Sequence, residues 1–176
     1  DDRLVNRWSP FYTHSDIKGL EKTWILWPLY RQKKWQADRL AHEQSQFLLF
    51  FYWSLKQQSL TNPAAASAHK THVWPLFSAW DNGAGRRQYQ FPSPFEALFP
   101  NNETVRQNWT PLFALYRYDQ RAPGDVRASL LWDAITWTRD EARRQSAFHL
   151  GPLLSVQTDS RQQHIACFYI HIEDLL

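Results

Sequence analysis

The chain has 176 residues, enough for one domain with a real core, and a formal net charge of +3 with an isoelectric point near 9.1. A 43% hydrophobic and 21% charged composition excludes a disordered chain, and so mild a basicity excludes the dense Lys/Arg footprint of a dedicated nucleic-acid binder. The outlying feature is aromatic content, 10 Trp, 11 Phe and 7 Tyr, because aromatics favour strands and gather at sugar-binding faces, interfaces and membrane belts.

In chain order, the first recurring signal is Trp8-Ser9-Pro10-Phe11-Tyr12, followed by Trp27-Pro28-Leu29-Tyr30. Residues 35–46 are rich in helix formers and admit a short helix. Residues 46–56 read as a strand. It holds the longest apolar run, Phe47 to Trp53, far short of the ~20 residues of a membrane-spanning helix. Residues 61–70 read as a loop or flexible spacer, after which the signal returns as Trp74-Pro75-Leu76-Phe77. Asp81-Asn82-Gly83-Ala84-Gly85 predicts a tight hairpin turn, and residues 88–99 a strand. Trp109-Thr110-Pro111-Leu112-Phe113 repeats the signal, Ala122-Pro123-Gly124-Asp125 predicts another turn, and residues 126–138 a strand. Polar residues 139–144 and 158–162 predict exposed turns around Gly151-Pro152-Leu153-Leu154, and residues 163–172 a last strand.

The repeated prolines lie 18, 47, 36 and 41 residues apart, close to multiples of a long strand plus its turn. Proline cannot donate to a ladder, so its recurrence predicts a bulge or strand start at one level of a regular sheet. Phe148, Leu150, Pro152, Leu154 and Val156 alternate onto one face, as do Ala166, Phe168, Ile170 and Ile172. The predicted fold is all-β: a single domain over residues 1–176, an antiparallel up-and-down meander of about 8–10 long strands, barrel-like or an open curved sheet. The absence of Met predicts a processed or truncated chain, whole or a piece of a larger chain or assembly. The one cysteine, Cys167, allows no internal disulfide and reads as a small buried hydrophobe.

The motifs from Trp27 to Tyr30, Trp74 to Phe77 and Trp109 to Phe113 resemble uncharacterised bacterial envelope proteins that repeat WPL[FY]-type strands between charged hairpin turns. The resemblance implies a β-rich, exported protein of the Gram-negative type, and it brings no catalytic residues. Only 5 glycines and a C-terminus without a terminal aromatic depart from ordinary outer-membrane barrels.

No nucleophile elbow, phosphate-binding loop or HExxH occurs, so neither a catalytic nor a metal set is predicted, and no cofactor. His69 and His72, three apart, point to opposite faces of a strand, and His171 with Glu173 would share a face as a solvated pair. Candidate ligand-binding residues are the flat faces of Trp35, Trp53, Trp80, Trp132 and Trp137, together with Asp133, which interrupts an apolar stretch, and Arg117, which could pair it. Paired carboxylates at Asp81 or Asp133 would be needed for a carbohydrate-active enzyme. Arg86-Arg87, Arg143-Arg144 and Arg161 could face lipid phosphates.

The expected role is a non-enzymatic exported envelope protein, a structural or binding β scaffold with an aromatic-rich face, in the periplasm or outer membrane. The alternatives are an outer-membrane β-barrel or lipid-binding β-groove, and the carbohydrate-active enzyme. Expected partners are lipid, lipopolysaccharide or glycan, or other envelope subunits, and no nucleic acid.

Overall fold

A computed structural model describes residues 3–8, 10–99, 102–160, 162–167 and 170–171. Sixteen strands follow one another in sequence order across one antiparallel sheet. They are β1 (Arg3–Trp8), β2 (Tyr12–Ile17), β3 (Leu20–Ile25), β4 (Tyr30–Ala37), β5 (Leu40–Phe47) and β6 (Tyr52–Ser59). Then come β7 (Ala68–Val73), β8 (Phe77–Asp81), β9 (Arg87–Phe91), β10 (Tyr116–Ala122) and β11 (Asp125–Leu130). The last are β12 (Ile135–Asp140), β13 (Gln145–Leu150), β14 (Leu154–Thr158), β15 (Gln163–Cys167) and β16 (Ile170–His171). Among the described residues β1 pairs only with β2 and β16 only with β15, so the sheet is open rather than closed into a barrel.

The predicted meander is there, but its strands are shorter and more numerous than expected. The longest have eight residues. Several stretches read as single strands each hold a hairpin. Residues 46–56 contain the end of β5, a turn at Leu48, Leu49, Phe50 and Phe51, and the start of β6. Residues 126–138 contain most of β11, a turn at Leu131, Trp132, Asp133 and Ala134, and the start of β12. The helix expected within residues 35–46 is instead the β4–β5 hairpin, closed by Asp38 and Arg39 in the left-handed region. Propensity yields there to an eight-residue ladder of cross-strand pairs.

The proline motifs are turns, not strand starts. Pro28 and Pro75 follow cis peptide bonds in the β3–β4 and β7–β8 turns. Pro10 and Pro152 lie in the β1–β2 and β13–β14 turns, and Pro111 in a short 3-10 helix (Thr110–Phe113). Alternate connections of a meander fall at the same ends of its strands, so these turns line one rim of the sheet. That rim also carries the turns at Leu48 and Leu131. Leu26, Leu48, Leu49, Leu131 and Trp132 adopt positive φ there, a conformation that costs a non-glycine residue about 1–2 kcal/mol. The opposite rim is polar: Lys18-Gly19, Asp38-Arg39, the loop 60–67, Asn82 to Arg86, Pro123-Gly124 and Glu141 to Arg144. The predicted turn at Asn82 is built there. The Asp81 carboxylate accepts from Gly83 N–H at 2.8 Å, and the Asn82 side chain from Ala84 and Arg86 N–H at 2.9 Å each.

The register extends the asymmetry into the sheet. The residues nearest the apolar rim on its outer face run Trp8, Tyr12, Ile25, Tyr30, Phe47, Tyr52 and Val73 through β1–β7. They continue as Phe77, Phe91, Tyr116, Leu130, Ile135, Leu150, Leu154 and Cys167 through β8–β15. Every strand from β1 to β15 thus contributes an apolar or aromatic side chain to one row. Two rows further from the rim, the same face carries Asp16, Glu21, Lys34, Glu43, Lys56, His69, Asp81 and Arg87.

The core is small and mostly polar. It lies on the inner face at β6–β12, where the long β9–β10 connection folds back over the sheet. Ser93 N–H donates to Pro75 O at 2.9 Å and the Trp74 indole to Pro94 O at 3.0 Å, which pins the connection to the β7–β8 turn. Beneath it Trp53, His72, Ser78, Gln88, Gln90, Ser129 and Thr136 are buried, together with Ser93, Glu96, Ala97 and Arg106 of the connection. Among the described residues no helix is long and apolar enough to cross a membrane.

Candidate functional site

The β9–β10 connection and the inner faces of β8–β11 enclose a cavity of about 320 Å³ that gathers three predicted residues, Trp80, Arg117 and Asp133. Its walls are dominated by guanidinium groups. Arg106, from a π-helical turn (Val105–Trp109), lies over the Trp80 ring at 4.5 Å, and Arg86, from the β8–β9 turn, lies 5.3 Å from the same ring. Arg117 of β10 and Arg127 of β11 line it from the sheet, Arg87 and Arg121 from the strand ends.

Most of these charges have partners. Arg117 Nε donates to Asp119 Oδ2 at 2.6 Å, Arg87 Nε to Asp81 Oδ2 at 2.9 Å, and Arg106 Nη2 to Glu103 Oε1 at 2.9 Å. Arg127 lies 3.4 Å from Asp133. This corrects the expected Arg117–Asp133 pairing. Asp133 stands in the β11–β12 turn rather than within a strand, which puts it in reach of Arg127, and the in-strand neighbour Asp119 occupies Arg117. Among the described residues Arg86 and Arg121 have no carboxylate partner within 4 Å. The Gln88 side chain accepts from Arg106 Nη1 at 3.3 Å through its oxygen, and its buried amide nitrogen has no partner. The cavity wall is therefore rich in donors: besides Arg87, which pairs with Asp81 across the outer face, five arginines stand against Asp119 and Asp133.

The other predicted residues are scattered. Trp53 is 4% exposed, with its ring 5.3 Å from that of His72, so it belongs to the core rather than to a binding face. Trp35 stacks on His42 at 4.9 Å with Lys33 over its ring at 4.7 Å, toward the polar rim. Trp132 is 62% exposed at the tip of an apolar-rim turn, and Trp137 lies on the outer face of β12. Asp81, considered for hydrolysis, is held by Arg87. His69 and His72 lie on opposite faces of β7. Glu173, Arg161, Phe168 and Ile172 and the side chains of Ile170 and His171 lie outside the described residues.

Next to the cavity sits a buried titratable pair, His72 and Glu96, of which the sequence reading weighs only His72, and that as a metal ligand with His69. His72 is 1% exposed, and its Nδ1 lies 3.5 Å from Glu96 Oε2 without hydrogen-bond geometry. Burial drives the imidazole pKa down to about 3, with Lys70 adding to the effect, so His72 is neutral. Burial raises Glu96 against the opposing pull of Lys70, Arg106 and Arg117. A depressed histidine stabilises the fold above its unfolded pKa of 6.5, and that contribution is lost as pH falls toward 3. Glu96 works in the opposite direction, because a raised carboxyl favours the fold as it takes up a proton. Between pH 6.5 and 5, wild-type protein is expected to lose on the order of 1 kcal/mol per pH unit relative to His72→Gln. Thermal melts of both proteins across that range check it, and parallel melting curves would remove His72 as the cause.

No family model matches the sequence. No curated protein and no solved structure matches it. The fold and the two contrasting rims therefore bear the functional reading.

Proposed function

We propose that this chain is a non-enzymatic envelope protein, a β scaffold seated on a lipid surface by the apolar rim of its sheet. The row from Trp8 to Cys167 carries this reading, together with exposed turn residues such as Trp27, Leu49, Leu76 and Trp132. Apolar residues in tight turns cost stability in water, and burial in lipid returns roughly 1.5–3 kcal/mol for each large side chain. Tyr12, Tyr30, Tyr52 and Tyr116 lie between the apolar turns and the charged rows, the level that amphipathic rings occupy at a membrane interface. Seating by one rim fits the strand lengths better than spanning does. Eight residues cover about 26 Å along a strand, whereas tilted spanning strands take about 9–11 residues, and here the end of the sheet away from the rim is charged.

Flotation with phosphatidylcholine–phosphatidylglycerol vesicles tests the reading. The protein is expected to rise with the vesicles and to stay with them through an alkaline carbonate wash. Protein left at the bottom of the gradient at low and physiological salt would overturn it.

A further inference from the structure

We infer that the arginine-lined cavity between the inner faces of β8–β11 and the β9–β10 connection is a binding site for a phosphate group. The inference is independent of lipid seating, because it rests on the inner face and not on the rim. Two features separate this cavity from an ordinary network of surface ion pairs. Arg86 and Arg121 bring positive charge to it that no carboxylate among the described residues meets within 4 Å. The Gln88 amide nitrogen, buried in the cavity wall, donates to nothing, and leaving a buried donor unpaired carries a desolvation penalty. An oxyanion answers the first directly, bridging guanidinium forks whose planar paired donors match phosphate oxygens, and a rotation of the Gln88 side chain toward it would let it accept from the amide as well.

The geometry also limits the ligand. Asp119 and Asp133 are each held by an arginine, so the surplus of donors faces the cavity and a cation is disfavoured. Arg106 covers the Trp80 ring, which keeps that face from stacking on a base or a sugar and leaves charge as the basis of recognition. At about 320 Å³ the space suits a phosphate or diphosphate group with little attached to it inside the cavity. The group can belong to a free anion or to a lipid headgroup, since the cavity reaches from the β8–β9 turn at the polar rim to Asp133 at the apolar rim.

Isothermal titration of the whole chain with inorganic pyrophosphate at low salt tests the site. Wild-type protein is expected to bind at one site. The double substitution Arg86→Gln with Arg121→Gln changes two exposed side chains, so the fold should survive, as circular dichroism would check, and affinity should fall at least tenfold. Arg139→Gln with Arg143→Gln removes the same charge outside the cavity and should leave binding intact. No binding by wild-type protein, or equal losses in both double variants, would overturn the site. Flotation with vesicles containing phosphatidic acid then separates the sources. A loss in the Arg86/Arg121 variant alone supports the site with a lipid headgroup as its ligand. Undiminished flotation beside lost pyrophosphate binding supports it with a free anion.

Discussion

Glutamate at Leu49, Leu76 and Leu131 together should abolish flotation with vesicles while leaving the sheet folded. The three leucines sit in the β5–β6, β7–β8 and β11–β12 turns, spread along the apolar rim, and all three are exposed. Each substitution removes roughly 1.5–3 kcal/mol of apolar burial in lipid and adds a carboxylate that resists leaving water. Summed over three turns, the change corresponds to roughly a thousandfold or greater loss of partitioning. Because the side chains project from the turns, far-ultraviolet circular dichroism and the melting temperature should hardly move. Glutamate at three polar-rim positions, Lys18, Arg39 and Arg144, is the matched comparison and should leave flotation in neutral vesicles as it was. Equal flotation of the leucine variant and wild type would show that the rim does not touch lipid.

Trp53→Ala should be the most destabilising single substitution in the molecule. Trp53 is the only large apolar side chain among the described residues to be fully buried, and the remainder of the core is polar or made of alanines. Its ring lies beside His72, with the Lys70 ammonium 5.9 Å from its face. Truncation leaves a void that polar neighbours fill poorly, at a cost of about 3–5 kcal/mol. That is a large share of the ~5–15 kcal/mol that holds an ordinary domain together. Trp27→Ala, at a position 64% exposed in the β3–β4 turn, should shift the urea midpoint by little. Urea titration of the two variants decides the matter, and a similar midpoint shift in both would show that the packing under the β9–β10 connection does not stabilise the sheet.

The fold class was readable from the sequence because the physics behind it is local. Aromatic and β-branched runs, turn chemistry at Asn82-Gly83 and Pro123-Gly124, and the absence of long helical periodicity all point to antiparallel strands. The strand count was not readable, and one physical cause explains most of the misses. Turns are recognised as polar, whereas Leu48-Leu49-Phe50-Phe51 and Leu131-Trp132 turn the chain with apolar residues, two or more of them in left-handed conformations. Hydrophobic runs therefore pass straight through hairpins and read as long strands. The recurrence of Trp-Pro-Leu did carry the right information, one level of the sheet, but that level is its rim. Trp80, Arg117 and Asp133 could be singled out as chemistry in unusual company. Their meeting with Arg86, Arg106 and Gln88 depends on how residues 92–115 fold over the sheet, and no periodicity encodes that.

Among the described residues each strand of this sheet pairs in the ladder only with its neighbours in the chain. Such a molecule has low contact order, so hairpins can form early and recruit their neighbours without waiting for distant segments. Cooperativity is then close to one-dimensional, as in repeat arrays, with stability passed from strand to strand. Opening should start at β1 and at β15–β16, where a strand has a neighbour on one side alone among the described residues, and progress inward. The exception is β7–β9, clamped by the contacts of Ser93, Glu96 and Arg106. The slowest-exchanging amides should lie there, a rigid middle holding the donor-rich cavity in shape while the two ends of the sheet breathe.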